Sequence, residues 1–277
     1  AKLFSAGTLE AETLKVVDAY LDKKVDPNAL INDESPALFA ARIWSLPILQ
    51  KFGKIDFSVA TKEGWTIMHV LCRDEPKKEQ EEQKLTKTIK YLIEIGGSIE
   101  ALNKINNFSP LMYAIECHNF KVSKILLDNG AKPDSSISPN FSLNPLMVAV
   151  QHRQSRIIKL LTERKADVLA PNKNGLGALQ FAVISGFKSE AALLINLLKE
   201  KGIQNPQDLR TPNVKNIKHV NSTLLHLAVE YNQFEIAKHL ILQYNADRSL
   251  VDGKNKLAIQ YTNDSKFMQL FKTGPED

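Results

Sequence analysis

Six histidines and two cysteines are the side chains best placed to move protons, attack carbon or hold a metal near neutral pH. They are His69, His118, His152, His219, His226 and His239, with Cys72 and Cys117. Cys117 and His118 are sequence neighbours, the composition of a thiol–imidazole nucleophile. Adjacent residues on a helix do not face each other, which argues against that pair. His118 and His152 fall near equivalent places in successive segments, but two histidines alone make a poor metal site. The cysteines form neither a metal-type cluster nor a disulfide framework, and a reducing compartment is the simplest setting. Gly-x-Gly-x-x-Gly, Walker-type loops and Cys-x-x-Cys are absent from the sequence, so no phosphate cradle or redox pair is expected. The carboxylates are scattered, and no acid–base pair stands out. These residues predict no catalytic group, no cofactor and no metal.

The elements carrying the rest of the chain must then do the work. The 277 residues are 43% hydrophobic and 24% charged, enough apolar mass for a buried core. The 36 basic residues interleave with 31 acidic ones for a net charge of +5, too weak a balance to predict nucleic-acid binding. No apolar run approaches the roughly 18 residues of a membrane span. No charged leader followed by an apolar block opens the sequence. A monomer in the cytoplasm is expected.

One pattern recurs seven times, the first test to apply to any chain. Its clearest copies are Thr223-Leu224-Leu225-His226-Leu227-Ala228-Val229 and Ser109-Pro110-Leu111-Met112-Tyr113-Ala114-Ile115. The copies start at Ser35, Thr66, Ser109, Asn144, Gly177, Thr223 and Asn255, with spacings of 31, 43, 35, 33, 46 and 32. All seven starts are residue types that cap a helix N-terminus. Pro36, Pro110 and Pro145 follow three of them, where a helix tolerates proline best. A second apolar stretch follows the anchors, as in Phe120 to Leu127, and ends in turn residues such as Gly130. Each unit therefore reads as a short helix, a turn, a second helix and an extended loop. The spacings of 43 and 46 read as insertions, near 73–87 and 197–220. The first has no apolar stripe and reads as a solvated helix extension or loop. The second ends in a basic stretch with Lys215, Lys218 and His219, which could touch phosphate or an acidic partner.

The Thr-Pro-Leu-His-like anchors, the small residues after them and the Gly-Ala-Asp-like helix ends resemble the ankyrin repeat. The resemblance implies an all-α solenoid of about seven helix-turn-helix units over residues 1–277. Residues 1–30 would be an N-terminal capping half-unit, 31–249 the repeats with their insertions, and 250–277 a C-terminal cap. Within the first of these, Leu9 to Lys23 would be a helix. His69 and His226 sit at the anchor position where the family's ring makes structural hydrogen bonds between units. Arg164-Lys165 departs from the pattern by lacking a glycine.

The resemblance also implies a concave face built from loop tips and first helices. The residue before each anchor projects there: Glu34, Trp65, Phe108, Leu143, Leu176, Ser222 and Lys254. Its apolar middle, joined by Phe141, reads either as a docking stripe or as side chains folded back over the hairpin bases. Positions after the small residues add Glu116, Gln151, His152, Ile184 and Tyr231 as partner contacts or ordinary helix ends. The function expected is a non-catalytic scaffold that binds a protein on this face. Its 20 asparagines and its excess of Lys over Arg make the chain similar to ankyrin-repeat effectors that intracellular bacteria deliver into host cells. Such an effector would act on a host protein in the host cytosol, delivered without a classical signal peptide. The alternatives are the recognition domain of a longer enzyme, and a basic insertion that binds nucleic acid or anionic lipid.

Overall fold

The computed structural model describes Lys15 and residues 26–30, 33–134, 143–172, 175–211 and 220–273. Apart from Lys15, the expected N-terminal helix lies outside these residues. Contacts divide the chain into two compact units, Ala1–Asn140 and Phe141–Asp277. The first contains α1 (Pro36–Arg42), α2 (Leu46–Lys51), α3 (Ile67–Val70), α4 (Glu79–Glu94), α5 (Pro110–Glu116) and α6 (Phe120–Asp128). The second contains α7 (Pro145–Gln151), α8 (Ser155–Glu163), α9 (Ala178–Ile184), α10 (Lys188–Glu200), α11 (Leu224–Glu230), α12 (Phe234–Tyr244) and α13 (Ser265–Lys272). Two 3-10 turns, Pro206–Asp208 and Ala258–Tyr261, complete the second unit. Among the described residues there is no strand, only isolated bridges closing hairpins at Ala60–Thr66, Arg210–Thr223 and Val251–Leu257.

In the first unit α1 packs on α3 and α3 on α5, while α2 packs on α4 and α4 on α6. In the second, α7, α9 and α11 pack in turn, and α8 packs on α10. The first helices touch through a small residue five places after the anchor: Ala40, Ala114, Ala149, Ala182 and Ala228 are all fully buried. The carbonyls of these alanines also close their helices. They accept the N–H of Ser45, Asn119, Gln154, Phe187 and Gln233 at 2.7–2.9 Å, the long bond of a Schellman ending. That ending needs a left-handed residue just before the donor, and Trp44, His118, Arg153, Gly186 and Asn232 supply it with φ of 54°, 61°, 54°, 76° and 54°. His118 is thus nine places after its anchor and His152 eight, so the two are not in equivalent positions.

The helix starts use two solutions. Where Ser35, Ser109 and Asn144 precede proline, the cap side chain accepts the N–H of Leu38, Met112 or Met147. Where proline is absent, the residue three places on reaches back to the cap N–H. His69 Nδ1 accepts from Thr66 N, His226 Nδ1 from Thr223 N, and Gln180 and Gln260 do the same with amide oxygens. This is a capping box with imidazole or amide in place of the carboxylate. The last anchor differs from the sequence expectation. Leu257, not Asn255, caps the final 3-10 turn, and Asn255 sits in the hairpin with φ 55°. The reason is Gln260, whose register with Leu257 matches His226 with Thr223.

Both anchor histidines tie one unit to the next hairpin. His69 Nε2 lies 2.8 Å from the Phe108 carbonyl, and His226 Nε2 lies 2.9 Å from that of Lys256. A carbonyl only accepts and the cap N–H only donates, so each ring is neutral with its proton on Nε2. The structural role expected of both rings is what they perform. Other polar links run the same way. Trp44 Nε1 donates to the Leu71 carbonyl, and Asn119 Nδ2 to those of Cys72 and Arg73.

The first insertion extends α4 at its N-terminus, but it is not wholly solvated. Leu85 is fully buried, and Lys121 donates to the Pro76 carbonyl and pairs with Glu82 at 2.6 Å. Of the second insertion, Lys215, Lys218 and His219 lie outside the described residues.

Two measurements check this account. Lys165 ends α8 in the left-handed region at φ 68°, where Gly96, Gly130 and Gly202 stand in other units. Lys165→Gly should raise stability by about 0.5–1 kcal/mol; an unchanged or lower thermal midpoint would contradict it. Burial holds the His69 imidazole well below its usual 6.5, at about 4, against the opposing pull of the Phe108 carbonyl. The folded chain therefore binds fewer protons than the unfolded one between those values. Stability is full above 6.5 and falls with pH toward 4, by about 3 kcal/mol from this ring. His69→Gln should flatten the decline between pH 6.5 and 5 in urea titrations; an equal slope in both proteins would refute it.

Candidate functional site

In the Ala1–Asn140 unit the hairpin before α3 delivers Trp65 beside the first helices. Trp65 N–H donates to Thr61 Oγ1, and the Trp65 carbonyl accepts from Thr61 N at 3.0 Å. Gly64 makes the tight turn at φ 79°, and a Cβ there would lie 2.9 Å from Asn103 Oδ1 in the next hairpin. The Trp65 ring stacks on Tyr113 of α5 with centroids 4.1 Å apart and planes 29° apart. The His69 ring lies tilted to it, with centroids 5.5 Å apart and planes 47° apart. Trp65 and Tyr113 are both half-buried, so each keeps part of its ring at the surface.

Polar groups stand at the neighbouring positions of the repeat. In register with Tyr113, Phe39 of α1 lies under the Arg42 guanidinium, 5.0 Å away. Arg42 grips Glu34 with two bonds, Nε to Oε1 at 2.7 Å and Nη2 to Oε2 at 3.0 Å. Arg73 is exposed and Glu116 half-buried at the helix ends. Cys117 is half-buried, with the Tyr113 side chain beside it. Burial pushes its thiol up from the usual value, outweighing Tyr113, so it remains a thiol at neutral pH rather than an activated nucleophile. Cys72 is fully buried and pushed up further by the same cause. Among the described residues no three His, Cys, Asp or Glu gather as metal ligands.

The expected apolar column does not survive as a continuous stripe. Phe108 and Leu176 are each only 8% exposed. Held between hairpin and helix, they remove apolar area from water instead of presenting it. Trp65 and Leu143 are half-buried, Ser222 is buried and Lys254 is exposed. Phe141 lies outside the described residues. On the Phe141–Asp277 unit, Gln151 is exposed and His152, Ile184 and Tyr231 are half-buried at the ends of α7, α9 and α11. The contribution of Tyr113 was not singled out in the sequence. Its signal was available: it stands four places after its anchor, where the other copies carry Phe39, Val70, Val148, Phe181 and Leu227.

No helix among the described residues is long and apolar enough to cross a membrane. Comparison with known proteins gives the family. The model for "Ankyrin repeats (3 copies)" matches residues 37–137, 80–172 and 146–252. Ankyrin repeat protein B19 of Vaccinia virus (strain Western Reserve) is 25% identical over 280 residues, covering 91% of this chain and 46% of the relative. An ankyrin repeat protein of Acanthamoeba polyphaga mimivirus is 23% identical over 168 residues, covering 59% of this chain and 20% of the relative. The chain thus spans less than half the length of these curated relatives. The fold matches the ankyrin repeat domain of Bcl-3, with a TM-score of 0.64 at 20% identity over 87% of this chain and 99% of that one. It also matches the human ASB11 ankyrin repeat domain, with a TM-score of 0.58 at 17% identity over 88% and 100%. Ankyrin repeats are in general protein–protein interaction modules and typically non-catalytic. Because the matched segments run without a gap from residue 37 to residue 252, the chain belongs to the ankyrin-repeat family.

Proposed function

We propose that this chain is a non-catalytic scaffold whose first-helix face in the Ala1–Asn140 unit docks a partner protein. The observation that carries the reading is the Trp65–Tyr113 stack, two large rings held face to face yet left partly in solvent. Aromatic rings of this kind contribute large contact area with few rotatable bonds, which is why they dominate binding hot spots. The surrounding Glu34–Arg42 pair, Arg73 and Glu116 supply a polar rim of both signs. Partner contacts at Gln151, His152, Ile184, Tyr231 and Leu143 are proposed for the equivalent face of the second unit. Phe108 and Leu176 support these surfaces from within.

The support for a bacterial effector acting on a host protein is the composition alone. The relatives reported above are viral, which favours no bacterial source. The alternative of a recognition domain in a longer enzyme is compatible with the same docking face, because that face would select the substrate protein while catalysis lay elsewhere.

Affinity capture from cell extract should separate anchor from core. Trp65→Ala should lose the partner that wild type and the α6 surface variant Lys124→Glu retain, with its thermal midpoint nearly intact. Phe108→Ala should instead destabilise the fold by about 3 kcal/mol. Retention of every captured partner by folded Trp65→Ala would refute the proposed face.

A further inference from the structure

In the Phe141–Asp277 unit, a polar cleft of about 650 Å³ opens between the end of α10, the 3-10 turn after it and the end of α12. Its walls carry an amide oxygen and two carboxylates. Gln207 is 4% exposed, and among the described residues its Oε1 has no hydrogen-bond partner. Among the described residues its amide nitrogen reaches Asn205 Oδ1, at 3.5 Å. A buried carbonyl without a donor is costly, so such a group in a cleft points to something that enters.

Two carboxylates share the cleft with it. Asp208 Oδ1 accepts the Asp247 N–H at 3.1 Å, and Asp247 Oδ1 accepts from Ser249 N and Oγ at 2.8 and 2.6 Å. Neither carboxylate has an ion-pair partner among the described residues. The two cations on the same walls are already engaged. The Lys199 ammonium lies 4.8 Å over the Tyr244 ring. Arg248 Nη1 donates to the carbonyls of Phe271 and Thr273 at 3.1 and 3.3 Å. The nearby Arg210 is likewise spent, on the carbonyls of Asn221 and Val251. Burial first, and the neighbouring Asp247 charge with it, hold the Asp208 carboxyl above its usual range against the opposing pull of the Asp247 N–H and the Arg210 charge.

The cleft therefore offers one unpartnered amide oxygen and two carboxylates that accept through Oδ1 alone and hold no ion pair among the described residues, spread across a space far wider than a metal ion. Their complement is a planar cation with several donors. We infer that this cleft receives the guanidinium of an arginine side chain from a partner polypeptide, held by Gln207 Oε1, Asp208 and Asp247. Only guanidinium offers five donors in a rigid fork that can meet a carboxylate pair and an amide oxygen together. The site is independent of the Trp65 face and stands or falls separately.

Isotope-labelled 277-residue chain titrated with the acetylated pentapeptide amide Gly-Ser-Arg-Ser-Gly tests the inference. The Gln207 side-chain amide and the Asp208 and Asp247 backbone amides should shift saturably. Replacing arginine by citrulline, which keeps the shape without the charge, should weaken binding at least about tenfold, and glutamate should abolish it. The Asp208→Asn/Asp247→Asn variant keeps the acceptor oxygens that Asp247 N and Ser249 use, and it should lose the shifts while melting as wild type does. If that pair does not fold, Asp247→Asn alone should weaken binding at least about tenfold. No saturable shift, equal binding of the citrulline peptide, or undiminished binding by a folded variant would each overturn it.

Discussion

A helix of seven residues does not hold itself together in water, since nucleation costs more than two turns return. Helices α1, α5, α7, α9 and α11 have that length, and α3 has four residues. They exist because each surrenders its apolar side to the stack, the five seven-residue helices burying an alanine there. Once the backbones approach that closely, every polar group between units must be satisfied. The carbonyls of Ala40, Ala114, Ala149, Ala182 and Ala228 are used by the Schellman endings, and the hairpin carbonyls of Phe108 and Lys256 by the two buried histidines. Close approach and polar closure are one constraint seen from two sides.

That constraint explains how His69, Cys72 and Cys117 are taken up by the fold. His69 is fully buried and neutral, with both nitrogens bonded. Cys72 is sealed, and Cys117 stays protonated under burial. Half-buried His239 meets the edge of Tyr244, with ring centroids 5.1 Å apart. What the stack leaves for function is its unpaired surface: rings at the hairpin bases and acceptors in clefts where an insertion departs from the regular unit. The two surfaces proposed here are of these two kinds. The Trp65–Tyr113 pair belongs to the repeat. The Gln207 cleft exists because the chain after α10 wanders through a 3-10 turn before reaching the next anchor.

Much of the fold was legible because repetition multiplies weak local signals. One Ser-Pro-Leu is ambiguous, but cap-type residues recurring near a common spacing specified six of the seven helix starts. The sequence also showed where units are interrupted. It was less informative at the last anchor, where Asn255 and Leu257 both offer a start and the choice rests on Gln260 reaching back to Leu257 N–H. The left-handed turn residues were only partly visible. Gly186 and Asn232 announce such a turn, whereas Trp44, His118 and Arg153 hide it, because there the Schellman bond and the packing impose what the residue type resists.

By itself the sequence determined the all-helical repeat, its register, its cap chemistry and the structural task of His69 and His226, all of which depend on neighbours a few residues apart. Tertiary structure alone decided which large apolar side chains face water. Trp65 and Phe108 occupy the same place before their anchors and are both aromatic, yet one keeps a surface ring and the other is buried. Exposure depends on what the adjoining hairpins and helices leave uncovered, a property of distances between segments dozens of residues apart. The Gln207 oxygen, unpaired among the described residues, was invisible for the same reason: a missing hydrogen bond is a property of how segments are placed.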